Sequence, residues 1–144
     1  MKAGAERATL TTEATQALVA AAAAKAHELG IRVHIAVMDS SALVVGWLSF
    51  EGAPRLAAKT ARDKAFTAVN TGMSTLAWKQ YVESIPASES RIIEKIDGYI
   101  AADGGYPVIE NGLLLGAIGV SGADQERDAV VARAALAALG LAVR

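Results

Sequence analysis

The chain has 144 residues, carries 14 basic and 15 acidic side chains, and is 53% hydrophobic. A nearly neutral charge without clustered Lys and Arg argues against nucleic-acid binding, and the absence of cysteine excludes disulfides, thiolate catalysis and cysteine-ligated metals. Because no apolar run is long enough for a signal peptide or a membrane span, we expect one soluble domain, residues 1–144, in the cytoplasm.

The first predicted element is a helix over residues 11–29. Small apolar residues recur at helical spacing between Leu18 and Leu29. Thr11 or Thr12 can cap the start of this helix, and Gly30 can end it. A helix whose apolar side is mostly alanine can pack very close to a sheet.

A β-hairpin is predicted over residues 31–50. The segment Ile31–Met38 alternates in the manner of a strand, Asp39-Ser40-Ser41 has turn chemistry, and Ala42–Phe50 supplies a second apolar strand. One face of the first strand carries Val33, Ile35 and Val37, and the other carries Arg32, His34, Ala36 and Met38.

The middle of the chain predicts two more helices and a strand. Residues 53–70 form an alanine-rich helix, and residues 74–82 form a shorter one led by Ser74. The polar stretch 86–95 has no clear pattern. Residues 96–102 are predicted as a strand.

The last third predicts a second hairpin and a closing helix. Asn111-Gly112, between the apolar segments 108–109 and 113–120, is a strong hairpin signal. The final helix covers residues 124–139, with its cap expected near Ser121. Two hairpins without a repeated βαβ unit indicate an α/β (α+β) fold with a mainly antiparallel sheet and helices packed on it.

Three segments occur in an order and spacing that chance does not readily produce. They are Ile35–Asp39, then Lys64–Ala68, then Gly104–Pro107 with Asn111-Gly112 and Gly116–Gly122, followed by Asp128. Over about residues 10–139 the chain resembles the GlcG/HbpS-like family, which includes the C-terminal domain of PduO-type proteins. The resemblance implies a five-stranded antiparallel sheet flanked by helices, a homo-oligomer, and a haem or other tetrapyrrole ligand.

Two glycine-rich segments are candidates for binding an anionic ligand group. Turn N–H groups and a helix N-terminus both favour negative charge. The first segment could equally be a simple turn, and the second could be close sheet packing followed by a cap. The candidate ligand-binding residues in these segments are Gly104, Gly105, Tyr106, Pro107, Gly119 and Ser121.

Charged side chains elsewhere are candidates for ligand binding or catalysis. Lys64, with Thr67 one helical turn away, could face a cleft and pair with a substrate carboxylate or with Asp39; it could instead be solvated. Asp39 could instead form an Asx turn. Glu89 and Arg91 could lie in a lid as an acid/base group and an anion clamp, or in a solvated loop.

The function is open between two hypotheses that involve a small-molecule ligand and a third, a structural or sensory module that forms oligomers. The resemblance implies a protein that binds a small molecule, such as haem or another tetrapyrrole. However, the two histidines, His27 and His34, lie outside metal-ligand spacing, so no metal ligand is predicted. The alternative is a small, metal-independent enzyme acting on a carboxylated or aromatic-derived metabolite. In both cases we expect a ligand that carries a carboxylate, bound where Lys64, the glycine turn and Ser121 converge.

Overall fold

The computed structural model of the protein describes residues 1–143, so the last residue of the expected domain, Arg144, lies outside the described residues. The sheet has four strands in the order β2-β1-β4-β3, and all neighbouring strands are antiparallel. The elements in chain order are α1 (Thr12–Leu29), β1 (His34–Asp39), β2 (Val44–Ser49), α2 (Leu56–Thr71), α3 (Thr75–Ser84), α4 (Ala87–Glu94), β3 (Gly105–Glu110), β4 (Leu113–Ser121) and α5 (Gln125–Ala138).

Helices cover both faces of the sheet, and the alternation of β1 decides which side chains each helix meets. On one face, α1 and α5 pack together over a core of branched side chains that includes Val33, Ile35 and Val37. On the other face, α2 lies across β1, β4 and β3. The core there is built mainly from alanine and also contains Ala36 and Met38. The two predicted faces of the first strand are therefore confirmed for these residues.

The helix ends follow the signals in the sequence. Thr11 accepts a hydrogen bond from Ala14 N at 3.1 Å, and Gly30 ends α1 with a φ of 67°. The last helix differs from expectation, because its cap is Asp124, whose side chain accepts from Arg127 N, and not Ser121. Ser121 is the last residue of β4.

The sheet has four strands and not five, because residues 96–102 form no strand. Their backbone is held by a side chain of α2: Thr67 Oγ1 donates to Gly98 O at 3.0 Å and accepts from Ile100 N at 2.9 Å. Gly98 has a φ of +93°, and the ring of Phe66 fills the space that a Cβ would need. The polar stretch after Pro86, which has no clear pattern in the sequence, is the short helix α4.

Candidate functional site

Lys64 lies on the buried side of α2, and its charge is paired inside the protein. The Lys64 Nζ donates to Asp128 Oδ2 at 3.0 Å and to Val120 O at 2.9 Å, and its side chain is 3% exposed. The other carboxylate oxygen of Asp128 accepts from Ala123 N at 2.9 Å. This ion pair therefore links α2 to the end of β4 and to the first turn of α5.

The glycine pair of Gly104 and Gly105, at the start of β3, leaves room for Lys64 to pack against the strand. A Cβ on Gly104 would lie 2.8 Å from Lys64 Nζ, and a Cβ on Gly105 would lie 2.3 Å from Lys64 O. Gly104 also has a φ of +129°, which L side chains rarely adopt. The Gly105 N–H donates to Thr75 Oγ1 at 2.9 Å. Bulkier residues at either position would push the start of β3 away from α2.

Tyr106 begins a second polar cluster on the opposite face of the sheet, towards α5. Its hydroxyl donates to Asp103 Oδ1 at 2.8 Å and accepts from Arg133 Nη1 at 3.1 Å. Burial raises the pKa of Tyr106 to about 12, with a further contribution from Asp103. Pro107, the next residue, is buried in β3 opposite Ala117.

Ser121 and Gly119 lie at the end of β4 that meets α2. The Ser121 and Thr60 hydroxyl oxygens are 2.6 Å apart, so Ser121 is bonded to α2. Gly119 packs against the α2 backbone, because a Cβ there would lie 2.2 Å from Ala61 O and 2.5 Å from Ala65 N. The expected close packing of this strand on a helix is thereby confirmed.

Asp39, Glu89 and Arg91 also lie away from the group formed by Lys64, the glycine pair and Ser121. Asp39 forms an Asx turn, in which its Oδ1 accepts from Ser41 N at 2.9 Å and from Leu43 N at 3.0 Å. It pairs with Gly116, four residues along β4 from Val120, which is a distance of about 13 Å. Glu89 and Arg91 are exposed on α4.

The structure thus brings Lys64, the glycine pair and the Val120–Ser121 strand end together, as the sequence suggested. Their polar groups bond largely to other parts of the protein, with Asp128, Thr75 and Thr60 among the partners. Whether these residues bind a ligand stays a prediction.

An open cleft of about 510 Å³ lies elsewhere, at the end of α1 beside the last residues of β2. The His27 ring packs on the Phe50 ring, with 4.7 Å between centroids. Arg32 Nη1 donates to Glu51 O at 3.1 Å. The remaining lining residues are Gly30, Ile31, Leu48 and Ser49.

Sequence reasoning singled out neither this cleft nor Arg32 and Phe50 as its lining. The feature of the sequence that could have indicated the cleft was Gly30. Its left-handed conformation turns the chain back beside the end of α1. As a result, His27 and Arg32 line the same cleft. Their side chains offer an imidazole and a guanidinium next to an aromatic ring, which suits a planar, anionic ligand.

Two further features bear on the class of protein. Within residues 1–143, no helix is both long enough and apolar enough to cross a membrane. The same residues contain no group of three or more His, Asp or Glu side chains placed to hold a metal ion.

The model of the family described as "Haem degrading protein HbpS-like" matches residues 10–137. The chain belongs to the HbpS-like family. The corrinoid adenosyltransferase PduO of Citrobacter freundii is 30% identical over 127 residues, which are 86% of this chain and 37% of PduO. The chain therefore spans little more than a third of the length of that relative.

Solved structures agree with this assignment. The crystal structure of HbpS is 30% identical and superposes with a TM-score of 0.86, covering 96% of this chain and 95% of HbpS. A PduOC–haem complex superposes with a TM-score of 0.85 at 24% identity, covering 94% of this chain and 99% of the other. This second similarity concerns the fold alone. The resemblance found in the sequence is confirmed, and so is its α+β fold with an antiparallel sheet.

Proposed function

We propose that this HbpS-like protein binds haem or another tetrapyrrole in the cleft at the end of α1. The observation that carries the proposal is the set of side chains in one cleft of about 510 Å³, His27, Arg32 and Phe50. A cleft of this size is within the usual range for cofactor sites. The description of the family as haem-degrading and the PduOC–haem complex support a tetrapyrrole as the ligand.

Each side chain of the cleft suits one part of such a ligand. The exposed imidazole of His27 is the commonest kind of protein ligand to haem iron. The Arg32 guanidinium can pair with a propionate carboxylate, and Phe50 provides an apolar ring surface. Haem, when bound, would supply its own iron chemistry, while these residues would hold and orient it.

The cleft suits an anionic ligand better than the Lys64 cluster does. Lys64 is neutralised by Asp128 at 3.0 Å, and both side chains are at most 3% exposed. A ligand carboxylate could reach Lys64 only by displacing this buried partner. Arg32, by contrast, is exposed, and within residues 1–143 its side chain donates to a neutral backbone carbonyl, that of Glu51.

A haemin titration followed by absorption spectroscopy tests the proposal. We expect a saturable shift of the Soret band with the unmodified protein. In His27→Ala the position of that band should change, because the iron loses its protein ligand. Arg32→Gln should weaken binding about tenfold or more, since a charge-assisted hydrogen bond is lost.

Glu28→Gln is the matched control, because Glu28 is exposed beside His27 but lies outside the cleft lining. It should bind haemin as the unmodified protein does. The proposal fails if the unmodified protein gives no saturable shift. The cleft assignment fails if His27→Ala keeps both the spectrum and the affinity of the unmodified protein.

A further inference from the structure

A row of polar side chains crosses three strands at the start of β1, on the face that α2 covers. His34 lies opposite Ser49 of β2 on one side and opposite Ser121 of β4 on the other. His34 is 5% exposed, whereas Ser49, on the edge strand, is exposed. The imidazole is therefore held inside the protein, beside the side chain of a residue that is exposed to solvent.

The hydrogen bonds of His34 fix which of its nitrogens carries the proton. Nε2 lies 2.9 Å from Pro54 O, and Nδ1 lies 2.7 Å from Ser49 Oγ. A carbonyl oxygen can only accept, so in the neutral imidazole Nε2 donates and Nδ1 is left with a lone pair. The Ser49 hydroxyl then donates to Nδ1. Trp47 Nε1 donates to the same Oγ at 2.8 Å.

From this geometry we propose that Ser49 is a nucleophile that takes an acyl group from small carboxylic esters, with His34 as its base. A nucleophile in hydrogen-bond contact with a base, which a third group orients, is the arrangement by which proteins activate serine. Pro54 O is the orienting group here. The proposal does not depend on haem binding.

The acyl transfer balances with water as the only other reactant. Ser49 Oγ forms a bond to the ester carbonyl carbon while its proton passes to His34 Nδ1. The bond to the leaving alkoxide breaks, and that oxygen takes the proton from Nδ1. Water then attacks the acyl–serine ester, giving a proton to His34, and the released Ser49 oxygen recovers it.

Trp47 supplies the donor that the developing oxyanion needs. Its indole N–H already lies 2.8 Å from Oγ. Once Oγ becomes an ester oxygen, this N–H is free to donate to the carbonyl oxygen bonded to the same carbon. A positioned donor of this kind typically accelerates acyl transfer by about 10²–10³-fold.

Labelling with a fluorophosphonate tests Ser49 directly. In this reaction the Oγ–phosphorus bond forms, fluoride leaves, and His34 takes the hydroxyl proton. We expect peptide mapping to place the adduct on Ser49, and Ser49→Ala to abolish it. Exposed Ser41, whose hydroxyl has no imidazole partner among the described hydrogen bonds, should stay unlabelled, and Ser41→Ala should label at the unmodified rate.

Two further variants test whether His34 and Trp47 activate Ser49, or whether Ser49 reacts only because it is exposed. His34→Gln should slow labelling by about 10²-fold or more, as expected for loss of a general base. Because His34 is buried and its loss could unfold the chain, Trp47→Phe is the second variant. Trp47 is 41% exposed, and its replacement should slow labelling by at least about tenfold without unfolding.

Three outcomes of the labelling experiments would overturn the proposal. It fails if the folded protein labels Ser49 no faster than the urea-unfolded chain does. It also fails if Ser41 and Ser49 react alike, or if folded Trp47→Phe labels at the unmodified rate.

Discussion

At the scale of single residues, the ion pair of Lys64 and Asp128 is the most consequential contact. Both side chains are almost fully buried, and each carboxylate oxygen of Asp128 has one partner, Lys64 Nζ or Ala123 N. Removing one member of such a pair leaves the other charge buried without compensation. Lys64 therefore contributes to folding through Asp128, with no ligand required.

We expect Lys64→Met to lower the free energy of unfolding by about 3–5 kcal/mol, because it leaves Asp128 unpaired. Adding Asp128→Asn should recover part of this loss, since the neutral amide oxygen can still accept from Ala123 N. Urea unfolding followed by circular dichroism measures both variants. Lys25→Met, which breaks the surface pair with Glu28, is the control and should cost about 0–1 kcal/mol. Equal losses in Lys64→Met and Lys25→Met would contradict the buried-pair argument.

The sequence could indicate that Lys64 was special but could not indicate its partner. Asp128 lies 64 residues further along the chain, and only the packing of α5 beside β4 brings it to Lys64. Asp39 was the partner considered from the sequence. Its carboxylate instead bonds the backbone of its own turn, which is a local contact that turn chemistry does predict.

At the scale of secondary structure, α2 and β4 approach so closely that their backbones are almost in contact. The alanines of α2 meet glycine and alanine on the sheet, and Gly119 faces Ala61 O and Ala65 N directly. Interiors are close-packed, so an added methyl group here has to move the helix backbone.

Gly119→Ala should therefore destabilise the protein by about 1–3 kcal/mol through overpacking. A thermal unfolding midpoint measures this effect. Gly4→Ala is the matched control, because a Cβ at Gly4 would meet nothing within 4 Å. If both variants melt at the unmodified temperature, α2 and Gly119 are not in close contact.

Local signals predicted most elements, and the failures have a shared cause. Caps and breakers such as Thr11, Gly30 and Asn111-Gly112 act on the adjacent backbone, so their elements formed where expected. Residues 96–102 are apolar enough for a strand, but Thr67, some 30 residues earlier, binds the Gly98 carbonyl and the Ile100 N–H. No pattern within that segment reveals such a partner.

At the scale of the whole molecule, the two edges of the sheet differ in how they are protected. The β3 edge contains Pro107, which has no N–H to offer another strand. The β2 edge contains no charged residue and no proline. Alternate residues of an antiparallel strand turn their N–H and C=O groups to opposite sides. Phe50 N donates to Val33 O, towards β1. The N–H and C=O groups of Ser49 and Trp47 therefore point away from β1, to the open edge of the sheet.

This unprotected edge is also rich in exposed apolar side chains. Leu43, Val44, Val45, Trp47 and Leu48 are each between 37% and 63% exposed. Natural sheets usually protect their edges with charge, proline or covering elements, and an apolar edge without them favours pairing with another chain. A second copy can pair with β2 in antiparallel fashion about a two-fold axis, because such an interface is self-complementary. No like charges on β2 oppose this association.

We therefore predict that the protein is at least a dimer, paired through β2. Val45→Lys places a charge in the paired edge, so it should give the monomer mass in sedimentation equilibrium at concentrations where the unmodified protein gives a dimer or larger. Leu56→Lys is the control: Leu56 is an exposed apolar residue, at 84%, but it lies at the start of α2, so its replacement should leave the assembly intact. A monomer mass for the unmodified protein over a wide concentration range would rule out self-association. If Val45→Lys stays assembled while Leu56→Lys dissociates, the interface lies at α2 and not at the β2 edge.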